Sequence, residues 1–336
     1  MSYAQRIGCG CGRTVSPGRG GRGIRQRGFQ GLQSLGLQSF SLLLRSLQFP
    51  GEIVFHDPRS ADYSAAGHPE RPARVTGSAQ HLRATHPDWD WREPNEASEE
   101  ALLRAYRAAH VRRVRDARHD FDADTPAYEN ILTHGARASG AACAVAQASL
   151  GGTPAFSLMR PPGHHATDDQ AMGFCFFNHI AVAALDALDR GAGRVAIWDF
   201  DAHHGNGTEA IVAGNARIAF ASVHQFPGYP GTGTRSLGKV HNFPVAPFTP
   251  RPEHRAAVAN ALAVLLEFKP DLLLVSAGFD AFAGDPITQM NLEPEDFALF
   301  GQWLRESSVP AGAILEGGYS DELPQLIDVF LNAWAS

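Results

Sequence analysis

Cysteine is scarce in this sequence, with four residues in a chain of 336. So few cysteines exclude a disulfide scaffold for a protein of this length. Cys143 and Cys175 stand in apolar surroundings, and we expect them to be buried, unreactive residues of a reducing compartment. Long hydrophobic runs are also missing, because no apolar stretch approaches the ~18 residues that span a bilayer. The sequence therefore predicts neither an integral membrane protein nor a membrane partner.

Acidic residues are absent from the first 50 positions, which contain seven arginines and many Gly, Ser and Gln residues. This composition is typical of transit peptides and of low-complexity leaders. We therefore predict that residues 1–50 are a disordered or targeting-like leader and that residues 51–336 form one domain. We expect a cytoplasmic location, or an organelle if the leader is a genuine transit peptide.

The charge of the remaining chain limits the partners. The whole sequence carries a formal net charge of −6, and the arginine-rich leader leaves −13 for the domain that follows. A domain this acidic is not expected to bind nucleic acid, whose phosphates it would repel. It would instead attract cationic substrates.

The most informative stretch is Gly193–Gly207, which begins as a short apolar strand and ends on two glycines. Asp199, Asp201 and His203 follow this strand at alternate positions, so an extended backbone would project them from one face. The carboxyl end of a strand in an open α/β sheet is where ligands bind. Two carboxylates and an imidazole at one point need a cation between them, and this set suits Zn²⁺ or a similar divalent metal.

A second polar loop precedes this stretch. Ala155–Met159 reads as a strand that runs into the stiff turn Arg160–His165, and a helix then leads to the metal strand. Strand, helix and strand in this order form a βαβ unit, whose strands are parallel. Later buried strands end in A-G-F-D at Asp280 and in E-G-G-Y at Tyr319. We predict a single three-layer α/β/α domain with a mostly parallel central sheet.

Four strand-end motifs now stand in order: R-P-P-G-H-H, D-F-D-A-H-H-G-N-G, S-A-G-F-D-A-F-A-G-D-P and L-E-G-G-Y. In this order and spacing the chain resembles the histone deacetylase and acetylpolyamine amidohydrolase family, which has the arginase-deacetylase fold. The resemblance covers residues 52–336. The H-P-E-R-P segment, Asn206 and L-E-G-G-Y are more similar to the class II and bacterial members than to class I.

The resemblance implies one Zn²⁺ per chain, bound by Asp201, His203 and Asp280; whether the metal in vivo is Zn²⁺ or Fe²⁺ stays open. It also implies that Asp199 hydrogen-bonds His164 behind the metal and that Asn206 supports His165. A structural K⁺ is implied nearby. Its ligands would be Asp199, Asp201, His203, Ser222 and Val223.

The family's chemistry would be hydrolysis of an acylated amine by metal-activated water. His165 would be the general base, His164 an electrostatic partner, and Tyr319 the hydroxyl that stabilises the oxyanion. Arg74 would lie beneath the site. The substrate tunnel would be formed by Gly173, Phe174, Tyr229, Ile287 and Asp124.

Three alternatives stay open beside a deacetylase of acetyl-lysine in proteins or of a small acylamide. An acetylpolyamine amidohydrolase would place an acid at the tunnel mouth, where this chain has Ile287. A ureohydrolase would need a second metal-binding Asp, where this chain has Phe282. An inactive deacetylase-like binding module would be expected to lose Tyr319 or a ligand. The sequence does not predict the oligomeric state.

Overall fold

The structure is a computed structural model, and it describes residues 52–336. The predicted leader, residues 1–50, lies outside the described residues, so its nature and the predicted domain boundary stay predictions. Within 52–336, no helix is both long enough and apolar enough to cross a membrane.

The described residues form eight strands, nine α-helices and one short 3-10 helix, Pro58–Ala61. The strands are β1 (Ile53–Phe55), β2 (Asp90–Arg92), β3 (Ala155–Ser157), β4 (Val195–Asp199), β5 (Ile218–Gln225), β6 (Val240–Val245), β7 (Leu272–Ala277) and β8 (Ala311–Leu315). The helices are α1 (Ala73–Thr85), α2 (Glu99–Leu103), α3 (Ala108–Arg115), α4 (Ile131–Leu150), α5 (His179–Asp189), α6 (Asn206–Val212), α7 (Arg251–Glu267), α8 (Pro294–Glu306) and α9 (Leu323–Ala335).

All eight strands join one sheet in the order β2-β1-β3-β8-β7-β4-β5-β6. Every neighbouring pair is parallel, for example β4 with β7, where Asp199 lies opposite Ser276. This confirms the predicted parallel central sheet. The sheet is wholly parallel, whereas the sequence predicted only a mostly parallel one.

Apolar residues on both faces of the sheet give the molecule its three layers. Along β4, Val195 and Ile197 belong to one core and Ala196 and Trp198 to the other, because successive side chains of a strand point to opposite faces. Helices α4 and α5 cover the first face. Helices α1, α7, α8 and α9 cover the second.

The strand order decides where the polar loops meet. Strands β3, β8, β7 and β4 are consecutive in the sheet although they are far apart in the chain. Because they are parallel, their carboxyl ends share one edge, and each is followed by one of the four motifs. The edge therefore collects residues from four separate segments of the sequence.

Some element boundaries differ from the sequence expectations. The Ala- and Gly-rich stretch 128–150 predicts a long helix. Helix α4 begins only at Ile131, because Asn130 has a left-handed backbone (φ 57°) that an α-helix cannot include. The edge strands β2 and β6 were not predicted. β2 has three residues and is partly exposed, so it carries no buried apolar run that a sequence pattern would detect.

Candidate active site

Asp201, His203 and Asp280 lie together at the carboxyl edge of β4 and β7. Each offers a ligand atom, and these atoms all lie within 4.8 Å of one another. The Nδ1 atom of His203 is 2.8 Å from Asp280 Oδ2 and 3.2 Å from Asp201 Oδ1. Among residues 52–336 no other group of three such side chains comes this close together.

Backbone N–H groups fix the orientation of both carboxylates. Asp201 Oδ2 accepts a hydrogen bond from the Gly317 nitrogen (2.7 Å), and Asp280 Oδ1 accepts one from Ala202 (2.8 Å). A Cβ on Gly317 would collide with both carboxylates, which explains a glycine at this position. The loops after three strands thus hold the two acids in fixed positions.

The electrostatics of this triad favour a bound cation. Burial raises the pKa of the Asp280 carboxyl, and the adjacent Asp201 carboxylate raises it further. Burial also acts to raise the pKa of Asp201, but the His164 and His203 rings hold it below its ordinary value. Two buried carboxylates of like charge are costly unless a positive charge lies between them. Two oxygen donors and one imidazole nitrogen fit a divalent metal such as Zn²⁺ with an open coordination position.

The paired histidines follow β3 and face this triad. The His164 ring is 4.0 Å from the His165 ring, and the His165 ring is 5.9 Å from that of His203. His164 Nδ1 lies 3.1 Å from Asp199 Oδ2. Burial would lower the pKa of His164, but Asp201 and Asp199 raise it to about 10, so this ring carries a positive charge.

His165 has the opposite character. Asn206 uses its amide nitrogen to donate to the His165 carbonyl (3.2 Å), which directs its Oδ1 to His165 Nδ1 at 2.8 Å. His165 Nδ1 therefore carries the proton and donates, and Nε2 keeps a free lone pair. Burial and the neighbouring His164 and His203 rings lower the pKa of His165 well below 6.5. A neutral imidazole of this kind can accept a proton.

Tyr319 completes the base of the site. Its backbone nitrogen donates to Asp285 Oδ2 at 2.8 Å, and the Arg74 guanidinium lies 4.7 Å from its ring centre. The Phe174 ring meets it edge-on at 5.7 Å. Burial raises the pKa of the Tyr319 hydroxyl well above 10, so it stays a hydrogen-bond donor.

A cavity of about 250 Å³ joins these groups. Its lining residues are Asp124, His165, Gly173, Phe174, His203, Tyr229, Ile287 and Tyr319. All five predicted tunnel residues are thus brought together with the predicted base, one predicted metal ligand and the predicted oxyanion donor. Gly173 has a left-handed backbone (φ +56°), and a Cβ there would contact the His165 ring at 2.6 Å.

Three of the five residues predicted to bind K⁺ lie on two adjacent strands, and the other two, Asp201 and His203, lie in the loop after β4. Asp199 on β4 and Ser222 on β5 are register partners, and Val223 follows Ser222. The Ser222 hydroxyl lies 2.9 Å from His224 Nδ1, so its side chain is already occupied. The potassium ion itself stays a prediction.

Cys175 and Cys143 are both buried, as the sequence predicted. The Cys175 thiol donates to the Gly173 carbonyl at 3.2 Å, and burial raises its pKa well above 9. A protonated, buried thiol is not a nucleophile.

Sequence reasoning missed three acids that hold the site from behind. Asp285 accepts the Tyr319 backbone N–H, and Glu316 accepts two N–H groups of the paired-histidine loop. Glu70 ties Arg160 and Arg74 together, with Arg160 Nη2 at 2.7 Å and Arg74 Nη1 at 3.2 Å. The signal was present for all three acids, since each lies inside a quoted motif. Their hydrogen-bond partners could not be predicted, because these depend on the order of the strands in the sheet.

Comparison with known proteins finds similar sequences over most of the chain. The sequence pattern of the histone deacetylase domain matches residues 68–333. A probable deacetylase of Methanothermobacter thermautotrophicus is 32% identical over 285 residues, covering 80% of this chain and 86% of that protein. An acetylpolyamine amidohydrolase 2 of Pseudomonas aeruginosa is 40% identical over 182 residues, covering 51% of this chain and 53% of that protein.

Among solved structures, the fold matches an acetylpolyamine aminohydrolase from Burkholderia pseudomallei. The TM-score is 0.79, and the alignment covers 85% of this chain and 99% of that one. Sequence identity is 24%, so this likeness speaks for the fold alone.

Proposed function

The chain belongs to the histone deacetylase domain family, and we propose that it is a zinc-dependent amidohydrolase that removes acetyl groups from acylated amines. The observation that carries the proposal is the convergence of the Asp201, His203 and Asp280 triad with His165 and Tyr319 around one narrow cavity. Family membership supports a hydrolase that acts on amides. The identity of the metal and the identity of the substrate are our proposals.

Asp201, His203 and Asp280 would hold the metal through two carboxylate oxygens and one imidazole nitrogen. When bound, Zn²⁺ supplies a Lewis acid for the amide carbonyl and lowers the pKa of a coordinated water from ~15.7 towards ~7. Asp199 would act indirectly, since it holds the charged His164 ring beside Asp201.

Proton transfer would be the work of His165. Its neutral ring has a free Nε2 lone pair, which accepts a proton from the attacking water. The same atom then returns the proton to the leaving amine nitrogen. His164 would act as an electrostatic partner, with its ring held by the contact between its Nδ1 atom and Asp199 Oδ2.

Stabilisation of the developing oxyanion would fall to Tyr319. Its protonated hydroxyl donates a hydrogen bond that strengthens as negative charge grows on the carbonyl oxygen. Asp285 and Arg74 fix the backbone and the ring of this residue. The products are a free amine and acetate.

We propose acetyl-lysine of proteins, or a small acylamide, as the substrate. The aromatic walls Phe174 and Tyr229 suit an extended alkyl chain, and the apolar Ile287 at the mouth gives a polyamine no specific anchor. The charge of −13 on the domain attracts either basic substrate.

An acetylpolyamine substrate is the second candidate, and one observation favours it. Asp124 lines the cavity, and Asp122 Oδ1 accepts the Asp124 backbone N–H at 3.2 Å, so two acids stand at the rim. The P. aeruginosa relative carries the corresponding name. A ureohydrolase is less well supported, because the partly buried Phe282 occupies the position of its second metal-binding acid.

The deciding experiment compares kcat/KM for an acetyl-lysine peptide with that for acetylated polyamines, using one preparation of the zinc-loaded protein. We expect the peptide to be the better substrate and a hydroxamate to inhibit both reactions by binding the metal. A preference for polyamines of tenfold or more would support the second candidate. No hydrolysis of either would reject the proposed function.

A further inference from the structure

Glu316 is a fully buried acid that follows strand β8, and the chemistry described above does not use it. Its Oε2 atom accepts hydrogen bonds from two consecutive backbone nitrogens, Gly163 at 2.7 Å and His164 at 3.1 Å. Its Oε1 atom has no hydrogen-bond partner within residues 52–336. One oxygen of Glu316 therefore holds the loop that carries the paired histidines.

The loop needs such an external acceptor. Pro161 and Pro162 precede Gly163 and have no N–H groups, so the turn has few hydrogen bonds of its own. A buried N–H group that is left without a hydrogen-bond partner destabilises the folded structure. Strand β8 is the neighbour of β3 in the sheet, so the side chain that follows β8 lies beside the loop that follows β3.

Glu316 is itself held firmly. Its backbone nitrogen donates to the Ala277 carbonyl at 3.0 Å, and its own carbonyl accepts a short hydrogen bond from the Arg74 guanidinium. On the other side of the loop, the Asn178 side chain donates to the His164 carbonyl at 3.3 Å. Glu316 thus links the histidine loop to β7, through Ala277, and to Arg74.

From these contacts we propose that Glu316 is a positioning residue that sets the place of His164 and His165 relative to the Asp201, His203 and Asp280 triad. The inference rests on the proposed deacetylase function. Glu316 acts through two backbone hydrogen bonds. It is not one of the proposed metal ligands, and it does not line the cavity. A displacement of about 1 Å of a catalytic group can cost roughly 10²-fold in rate.

Two substitutions distinguish the effect of the hydrogen-bond acceptor from the effect of the rest of the Glu316 side chain. Glu316→Ala removes the acceptor and leaves two buried N–H groups unpaired. Glu316→Gln keeps one oxygen for Gly163 and His164 and places its amide nitrogen where Oε1 has no partner. We expect Glu316→Ala to lower kcat by roughly 10²-fold with KM changed by about twofold at most, and Glu316→Gln to restore kcat to within about tenfold of wild type.

A second measurement follows the hydrogen bonding of the histidine loop and does not depend on enzyme activity. Hydrogen exchange of a peptide spanning residues 158–170, followed by mass spectrometry, reports on the Gly163 and His164 amides. We expect faster exchange of this peptide in Glu316→Ala, and protection close to wild type in Glu316→Gln. Zinc per chain should stay at the wild-type level in both variants.

Asp296→Asn is the matched control, because Asp296 is another fully buried carboxylate that accepts a backbone N–H, from Glu293 at 2.8 Å, and it does not line the cavity. It should lower the melting temperature and leave kcat and the exchange of residues 158–170 unchanged. Normal kcat in Glu316→Ala would overturn the positioning role, and so would a loss of kcat that Gln does not restore. An inactive wild-type protein would instead reject the proposed function.

Discussion

Tyr319 packs between the Arg74 guanidinium and the Phe174 ring, with its backbone held by Asp285. If its hydroxyl stabilises the oxyanion, Tyr319→Phe should lower kcat by roughly 10²–10³-fold, as the loss of one such donor does. The bound metal should be unchanged, because the hydroxyl is not a proposed ligand. Steady-state kinetics together with metal analysis of the variant would measure both effects.

Tyr128→Phe is the control for this substitution. The Tyr128 hydroxyl is buried and has no hydrogen-bond partner among the described residues, and the side chain does not line the cavity. We expect normal turnover from it. Turnover of Tyr319→Phe at the same level as this control would contradict the oxyanion role.

The turn that follows β8 brings the backbone against the two carboxylates of the triad. A Cβ at position 317 would push on Asp201 and Asp280 together, whereas one at Gly214 would meet open space. We therefore expect Gly317→Ala to weaken metal affinity by roughly 10–100-fold, as changes around a metal's ligands do. Gly214→Ala should bind metal normally. Competition with a chelator measures both affinities, and equal affinities would contradict this account of the turn.

Another contact between elements is the buried cluster of Glu70, Arg160 and Arg74, which ties the loop before α1 to the end of β3. Burial acts to raise the pKa of Glu70, but Arg160 and Arg74 hold it below its ordinary value of 4.5. The folded protein therefore binds the Glu70 proton less readily than the unfolded chain. The stabilisation by this carboxylate is present above about pH 4.5 and is lost as the pH falls through the lowered pKa.

We expect Glu70→Gln to destabilise the fold by about 3 kcal/mol at pH 7, since it leaves two buried guanidinium groups without their anion. The difference from wild type should shrink as the pH falls below 4.5. Urea unfolding of both proteins at several pH values measures it. Asp90→Asn, which removes an exposed ion pair with Arg92, serves as the control and should have little effect. A Glu70→Gln deficit that is independent of pH would refute the argument.

The sequence predicted those elements and residues that a pattern within one segment of the chain is enough to identify. The order strand, helix, strand around the paired-histidine loop predicted a parallel sheet, which the structure has. The acids that end two of its apolar strands come together at one edge. The roles of Glu316 and Asp285 could not be predicted, because they depend on β8 lying between β3 and β7. Strands β2 and β6 were missed because they are edge strands and only partly buried.

The domain as a whole carries a strong negative charge, −13 after the arginine-rich first 50 residues. Long-range attraction of a cationic substrate weakens as salt screens it, with a Debye length of about 10 Å at 0.1 M. We expect kcat/KM for a lysine-rich acetylated peptide to fall several-fold between about 0.02 and 0.5 M salt. An acetylated peptide without other charges, assayed in parallel, should change little. A similar decline for both peptides would contradict substrate steering.

The proposed function requires one metal ion per chain, held by Asp201, His203 and Asp280. The most direct test is a titration of the metal-free protein with Zn²⁺ while deacetylation of an acetyl-lysine peptide is measured. We predict that activity rises linearly and reaches its plateau at one equivalent, and that Asp280→Ala stays inactive throughout. Full activity of the metal-free protein, or the same titration curve for Asp280→Ala, would contradict the account.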